Sequence, residues 1–365
     1  MGIGSGAVEN VVMSPEFWRG RSVFVTGHTG FKGSWLSLWL QSAGAVVHGY
    51  STAAPTQPNL FTVGSVADGL ATHTIADVRD AAALRAAMHA AAPEVVFHLA
   101  AQPLVRHSYV DPVGTYAVNV LGTVHLLEAT RACASVKSLV NVTTDKCYEN
   151  KEWVWGYREH EALGGHDPYS SSKACSELVT AAYRASFFEN DGPAIATARA
   201  GNVVGGGDWA EDRLIPDFFR ALDFGRTLEV RQPNATRPWQ HVLEPLSGYL
   251  MLAEQLATKG RPFASAWNFG PADEDARSVR WILDHLSAHT PGAGWRHIGG
   301  PQVHEANFLK LDSSRAGRDL QWAPRWGLQQ ALEKTVEWHL AWRRGDDMRA
   351  LCSAQIDLHQ SLAAV

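Results

Sequence analysis

Seven residues, Gly27-His28-Thr29-Gly30-Phe31-Lys32-Gly33, separate the β-branched run Ser22-Val23-Phe24-Val25-Thr26 from a stretch, Ser34 to Ser42, whose Trp35, Leu36, Leu38, Trp39 and Leu40 fall at helical spacing. A strand that turns on glycines into a helix limits what can surround it. Backbone N–H groups and the positive end of the helix dipole converge where an anion can sit, and glycines are required where a side chain would block the approach. The spacing is G-x-x-G-x-x-G, one residue longer than the G-x-G-x-x-G of ordinary dinucleotide folds. A purely structural strand-turn-helix junction can carry the same three glycines, so the motif speaks for a dinucleotide only in company.

The company is an alternation of short apolar runs and helical stretches. Ala45 to Tyr50, Glu94 to Leu99 and Ser138 to Val142 read as strands, with Ala-rich helices near 80 to 91 and 112 to 133 between them. That rhythm predicts an α/β, Rossmann-type doubly wound parallel sheet. After about Ala200 it breaks, with Gly205-Gly206-Gly207, several prolines and clustered Trp and Arg. A chain of 365 residues, 45% of them hydrophobic, has material for a large core and more than one domain. The expected division is a loose N-terminus over 1–16 and a dinucleotide-binding domain over 17–200, completed by about 238–265. A smaller substrate-binding lobe takes 201–237 and 266–365.

A formal net charge of -5 without any long Lys/Arg run argues against a nucleic-acid partner, while leaving room for local basic pockets. No window approaches the roughly 18 uninterrupted apolar residues of a spanning helix, and MGIGSGAVEN lacks the basic and apolar regions of a secretory leader. The expectation is a soluble, cytoplasmic protein with no membrane partner. Cys133, Cys147, Cys175 and Cys352 are too scattered for a disulfide framework and read as buried free thiols, and no metal centre is expected.

Asp167-Pro168 reads as a helix start, Asp at the N-cap and Pro in the first turn, which puts Tyr169 and Lys173 at i and i+4 on one face. An ammonium beside a phenol favours the phenolate, so Tyr169 is expected to have a lowered pKa and to take a proton from a hydroxyl as hydride leaves the same carbon. Alone, Y-x-x-x-K also describes a surface helix with a snorkelling lysine. Behind the strand Ser138 to Val142 stands Thr143-Thr144-Asp145-Lys146-Cys147-Tyr148-Glu149-Asn150, where strand ends of such sheets face the ligand crevice, or else a plain polar loop. The acidic residue that usually binds the adenosine ribose is missing, since Tyr50, Ser51 and Thr52 occupy its place. NAD and NADP are therefore not distinguished there. Lys32 is either a contact for an extra phosphate or a solvated lysine, and Asp77 either meets the adenine edge or is an ordinary loop aspartate.

Together these stretches resemble the extended short-chain dehydrogenase/reductases, and within them the sugar-nucleotide 4,6-dehydratases of the CDP-glucose branch. The resemblance runs through GHTGFKG (27–33), TTDKCYEN (143–150), YSSSKACSE (169–177), RAGNVVGGGDW (199–209), RLIPD (213–217) and NATRPWQHVLEP (234–245). It covers nearly the whole chain from about Phe17 to Leu340. It implies a lyase that oxidises a nucleotide sugar at C4 with bound NAD, eliminates water across C5 and C6, and returns the hydride to C6, within deoxysugar biosynthesis. CDP-glucose is the implied substrate. The implied assembly is a homodimer packed through the Tyr169 helix.

By the same resemblance Tyr169 is the base at O4, Lys173 tunes it and holds the ribose, and Thr144 hydrogen-bonds the C4 oxygen. Asp145 gives the proton that lets the C6 hydroxyl leave. Lys146 stands where related dTDP-glucose enzymes carry glutamate, and is expected to act as base at C5, its pKa lowered by burial and by Lys173. Gly27, Gly30 and Gly33 take the pyrophosphate; His28, Phe31 and Lys32 belong to the same turn. Asp77 and Val78 meet the adenine, and Leu99, Ala100, Ala101 and Gln102 wall the ribose. Asn119, Thr143, Tyr169, Lys173 and Asn202 complete the cofactor set. Thr144, Asn202, Arg213 and Arg237 meet the substrate, the arginines clamping its phosphates. Asn202 also reads as a capping residue, and each arginine as a surface ion pair. Rivals on the same scaffold are another nucleotide-sugar dehydratase, a 4-epimerase or a decarboxylase, and more remotely a non-catalytic NAD-binding scaffold. A 4-epimerase needs no acid for water loss, so Asp145 beside Lys146 argues for dehydration.

Overall fold

The computed structural model describes residues 13–299 and 309–362. In chain order its strands are β1 (Ser22–Thr26), β2 (Val46–Ser51), β3 (Leu70–Ile75), β4 (Val95–His98), β5 (Ser138–Val142), β6 (Ala194–Ala200), β7 (Asn202–Val204), β8 (Leu228–Val230), β9 (Thr236–His241), β10 (Ala266–Phe269), β11 (Ala276–Ser278) and β12 (Trp295–His297). Seven of them form one sheet in the order β3-β2-β1-β4-β5-β6-β10, with every neighbouring pair parallel. The order reverses between β1 and β4, and ligand crevices of such sheets open there, beyond the carboxyl ends of the strands.

Strand side chains alternate between faces, and here both faces are buried, as parallel sheets require. Val23, Val25, Val47, Val95, Phe97 and Val140 join one apolar cluster; Phe24, Tyr50, Val96, Leu139 and Ile195 join the other. The helix Phe31–Ser42 is buried continuously from Gly33 to Leu40, because the sheet lies on one side and the C-terminal helix Met348–Ser361 packs on another. Trp35 and Trp39 are among its fully buried side chains, and emptying either site costs about 3–5 kcal/mol in typical cores.

A third apolar cluster lies apart from both faces, built from Ile215, Phe218, Phe219, Leu222, Trp239, Ile282, Leu283, Leu286, Leu332 and Val336 among others. The loop-rich region after Ala200 therefore has a core of its own, together with the small sheet β11-β9-β7. β10 lies at the edge of the main sheet, although the sequence division placed residues from 266 in the smaller lobe. Its apolar run Ala266-Trp267-Asn268-Phe269 is too short to stand out as a strand until it pairs with β6.

Of the expected loose segment 1–16, residues 1–12 lie outside the described residues. Met13 is already buried, and Pro15–Trp18 forms a short helix capped by Ser14. The helix expected over 112–133 is three consecutive pieces, Pro112–Tyr116, a π-helical segment Ala117–Leu121 and Gly122–Arg131. The π-segment holds Asn119, whose side chain reaches out of the helix; wide turns of this kind commonly serve a site. The cysteines are all free. Cys133, Cys147 and Cys352 are buried, whereas Cys175 is only half-buried.

Candidate active site

The glycine turn is built for close approach. Gly27 has φ +77°, and a Cβ there would lie 2.7 Å from the backbone nitrogen of Ala100, while one at Gly33 would lie 2.1 Å from the Gly27 carbonyl oxygen. These two glycines bring β1, the β4 end and the helix together. Gly30 is the N-cap of Phe31–Ser42 and supplies no side-chain cap, so the first-turn amides of a buried twelve-residue helix stay open toward the crevice, as a pyrophosphate requires. His28 is buried and bonds through Nε2 to His73 Nδ1 at 2.7 Å; burial, then the neighbouring His73, pulls its pKa down to about 4. Thr29 ties the turn to β2 through Ser51 (2.9 Å).

Where an acidic ribose ligand is usual, Tyr50 instead donates its hydroxyl to the Asp77 carbonyl (2.9 Å). The Asp77 carboxylate is held by Arg79, with Nη2 to Oδ2 at 2.7 Å, and that hydrogen bond lowers its pKa. Val78 is buried beside Gly122. Leu99 and Ala100 donate their amides to Thr26 Oγ1 (3.2 Å each), which fixes the wall beyond β4. Ala101 is half-buried, and Gln102 is clamped to Asn119 in both directions, amide to Oδ1 at 2.9 Å and Nδ2 to carbonyl at 3.1 Å. Asn119 also donates to Ser172 on the next helix (2.9 Å).

That helix, Pro168–Phe187, starts as expected. Asp167 caps it by accepting from the Ser170 amide at 2.9 Å. Tyr169 and Lys173 are both buried on its inner face. Lys173 donates through Nζ to the Val142 carbonyl (3.1 Å), tying the helix to the end of β5. Just beyond, Thr144 donates to Asp145 Oδ1 (3.0 Å) at the start of the 3₁₀ turn Asp145–Cys147. The expected polar loop is thus a tight turn with Asp145 almost wholly buried.

Burial decides the titration here. It raises the Asp145 carboxyl, against smaller opposing effects of Lys146, Thr144 and Lys32. It pulls Lys173 down to about 8. Tyr169 corrects the sequence expectation: burial pushes its phenol up to about 12, with the Thr144 hydrogen bond only partly offsetting it. A lysine that is itself desolvated and tied to a carbonyl is too weak an electrostatic partner to reverse that cost. Lys146 is a second correction. It is exposed, because the turn that buries Asp145 and Cys147 leaves the residue between them outside.

Lys32, left open from sequence, faces this same cluster. It is half-buried, and burial, followed by repulsion from Arg213 and Lys173, lowers its pKa to about 8 against the pull of Asp145 and Asp208. Arg213 caps the helix Leu214–Asp223 by position and donates to Asp208 Oδ2 (2.8 Å), which holds its pKa up. Asn202 begins β7, half-buried, and pairs in register with Trp239 of β9. Arg237 lies on the same β9 two residues earlier and opposes Arg277 of β11. The small sheet therefore joins Asn202 and Arg237, while Asp208 sets Arg213 against the crevice.

A supporting pair was not anticipated. Glu177 is one turn beyond Lys173 on the same helix and forms a fully buried ion pair with Arg199 of β6, Nη2 to Oε2 at 2.8 Å and Nε to Oε1 at 3.0 Å. Thr143 and Thr197 donate to the same carboxylate, and Arg199 also donates to Tyr148 Oη (2.7 Å). The signal was present in YSSSKACSE, where Lys173 and Glu177 have i, i+4 spacing, but nothing in the sequence pairs Glu177 with a residue 22 positions away.

Residues 24–266 match the family described as GDP-mannose 4,6 dehydratase. The CDP-glucose 4,6-dehydratase of Salmonella typhimurium is 53% identical over 348 residues, covering 94% of this chain and 96% of the relative. A dTDP-glucose 4,6-dehydratase of Streptomyces griseus is 30% identical over 61% of this chain and 66% of its own length. Among solved structures, a UDP-glucose 4-epimerase from Stenotrophomonas maltophila with bound NAD superposes with TM-score 0.76 at 23% identity, covering 89% of this chain and 99% of that one. A dTDP-glucose 4,6-dehydratase from Streptomyces venezuelae, with NAD and TYD bound, gives 0.73 at 23% identity over 89% and 98%. Such distant structures share the fold.

Proposed function

The chain belongs to the GDP-mannose 4,6 dehydratase family of extended short-chain dehydrogenase/reductases, and we propose that within it the protein is a CDP-glucose 4,6-dehydratase, a hydro-lyase making CDP-4-keto-6-deoxyglucose. Asp145 carries the case for dehydration over epimerisation. Its carboxyl is buried beside Thr144 and burial raises its pKa, which favours the protonated form that a leaving hydroxyl needs and that a 4-epimerase has no use for. The nucleotide is supported by the 53% identity to the Salmonella enzyme along almost the full length of both chains.

The uncovered amides beneath Gly30 and the close turn at Gly27 and Gly33 fit a dinucleotide pyrophosphate. NAD is the choice the bound structural relatives support. Bound there, NAD would supply the hydride acceptor for C4 and the hydride donor for C6. His28, Phe31, Asp77, Val78, Leu99, Ala100, Ala101, Gln102, Asn119 and Thr143 would line it.

Tyr169 would accept the O4 proton as its phenolate, which burial disfavours and which the Thr144 hydrogen bond and the Arg213 charge favour. Thr144 fixes that oxygen, and Lys173 holds the helix against β5 and contributes charge. Once C4 is a ketone, the C5 proton is acidic and the neutral Lys146 amine is the assigned base, becoming the ammonium when it takes that proton. Asp145 then protonates the departing O6. Asn202, Arg213 and Arg237 bind the nucleotide sugar, and Lys32 adds positive potential toward its diphosphate. In the proposed organisation the first two apolar clusters form the dinucleotide-binding domain and the third supports the substrate lobe.

A homodimer is supported by the outer face of the Tyr169 helix and its neighbours. There Val110 and Val113 are 81% and 78% exposed, with Tyr109, Leu121, Leu178 and Phe187 also outside. Among the described residues no helix is long and apolar enough to cross a membrane, and we place the enzyme with soluble nucleotide-sugar metabolism in the cytoplasm. Incubation with CDP-glucose, dTDP-glucose and GDP-mannose, followed by the alkali-induced absorbance of a 4-keto-6-deoxy sugar, tests the assignment. Signal with CDP-glucose foremost is expected, and signal with none overturns it.

A further inference from the structure

Far from the reacting groups in sequence, the substrate lobe carries a cluster of ligand-type side chains that the dehydratase chemistry does not use. His285 and His289 are four residues apart on the helix Val279–His289, hence on one face. Glu333 approaches from the neighbouring helix Leu328–Arg344, which packs against the first. One ligand atom from each of the three lies within 4.8 Å of the other two.

The two imidazoles are prepared for ligation. His289 Nδ1 lies 2.8 Å from the His285 backbone carbonyl. A carbonyl only accepts, so the proton is on Nδ1 and the Nε2 lone pair is free; metal-bound histidines are commonly oriented in this way. The His285 Nε2 atom is buried without a hydrogen-bond partner, 4.0 Å from Glu333 Oε1. Trp281 stacks on the His285 ring, 12° from parallel with centroids 5.4 Å apart, and limits its rotation. Gln329 donates to Glu333 Oε1 at 2.9 Å, holding the carboxylate.

We infer that His285, His289 and Glu333 form a binding site for a Zn²⁺-type cation that links these two helices. Two neutral imidazole nitrogens and one carboxylate suit zinc, with water at a fourth position, and do not suit Mg²⁺ or Ca²⁺, which take oxygen ligands. Metal–ligand bonds of about 2.0–2.1 Å imply ligand separations of about 3.4 Å in a tetrahedron. The present separations, up to 4.8 Å, therefore close by small movements of the exposed His289 ring and of the Glu333 side chain, which is 42% exposed. Both helices contribute to the lobe cluster through Ile282, Leu283, Leu286, Leu332 and Val336, and the helix behind Arg213 joins it through Ile215 and Phe218. The cation would be a staple for the substrate lobe and not a participant in water loss.

Isothermal titration of the full-length, chelator-stripped protein with ZnCl₂ tests the site, with His289→Ala and Glu333→Gln in parallel and MgCl₂ as control. One equivalent should bind with Kd of about 10 µM or tighter. His289→Ala removes a ligand and should weaken binding at least about tenfold, the low end of what losing even a partner behind a ligand costs, and Glu333→Gln should weaken it by less. His289 is exposed and Glu333 half-buried with its side chain 42% exposed, so the variants should fold and keep metal-free dehydratase activity. No zinc binding by the wild type, or an unchanged isotherm in both variants, overturns the proposal.

Discussion

Two sets of ionisable side chains gather about the inner face of the helix Pro168–Phe187, one around Lys173 and one around Glu177 a turn further on, and burial acts on them in opposite ways. At Glu177 and Arg199 every charged oxygen and most guanidinium donors have partners. Burial would raise Glu177, yet Arg199, Thr143 and Thr197 hold it below the ordinary range, and Glu177 holds Arg199 above its own. Both stay charged. At Tyr169, Lys173, Asp145 and Lys32 the partners are fewer and burial prevails, moving each toward its neutral form. A paired cluster fixes geometry, whereas a desolvated and incompletely paired one is ready to exchange protons.

The contrast is broken most severely at the proton-transfer end. Tyr169→Phe should leave the fold intact and lower kcat by about 10³-fold, within the usual range for a general acid–base group; a fall of less than tenfold in steady-state product formation would remove Tyr169 from the reaction. Asp145→Asn should block water loss to a similar extent.

At the paired end the expected effect is on stability. Arg199→Met leaves Glu177 charged and alone, and removing one partner of a buried pair costs about 3–5 kcal/mol, read as a lower midpoint in urea unfolding. Replacing both with apolar residues should recover much of that loss. If Arg199→Met changed kcat and left the midpoint in place, the pair would belong to the chemistry.

The difference also has a pH signature. Lys32 and Lys173 have folded pKa values of about 8 against an ordinary 10.5. Between those limits the unfolded chain keeps protons that the folded chain has released, so both groups make stability rise with pH from about 8 to 10.5. Lys173→Met should flatten that rise, and Lys32→Met should do so less because its side chain is partly solvated. Buried His98 works at the other end: its pKa falls to about 3, through burial and then Lys173, so its contribution to stability is lost as pH drops below 6.5. Thermal midpoints across the two ranges, variant against wild type, give the smallest of these effects.

Much of the proton-transfer cluster was legible in sequence because its parts are local. The Asp167-Pro168 helix start, the Tyr169/Lys173 spacing and the strand end before Thr143 each follow from short-range rules, and β1 and β5 appear where periodicity puts them. Long-range pairing was not legible. Neither Glu177 with Arg199, Asp208 with Arg213, nor β10 as an edge strand leaves a mark in a short window. The titration of Tyr169 and the burial of Lys146 were not legible for the same reason: the desolvation that raises Tyr169 and the exposure of Lys146 depend on what the whole fold packs around them.

Lys146→Met should abolish solvent exchange at C5 and leave oxidation at C4 possible, which separates the base from the rest of the cluster. The most direct test of the account follows one atom. With CDP-glucose deuterated at C4 and no added reductant, the CDP-4-keto-6-deoxyglucose formed should carry that deuterium at C6, because the hydride removed from C4 is returned within the same site. A product lacking deuterium at C6, or a sugar altered only at C4, would contradict it.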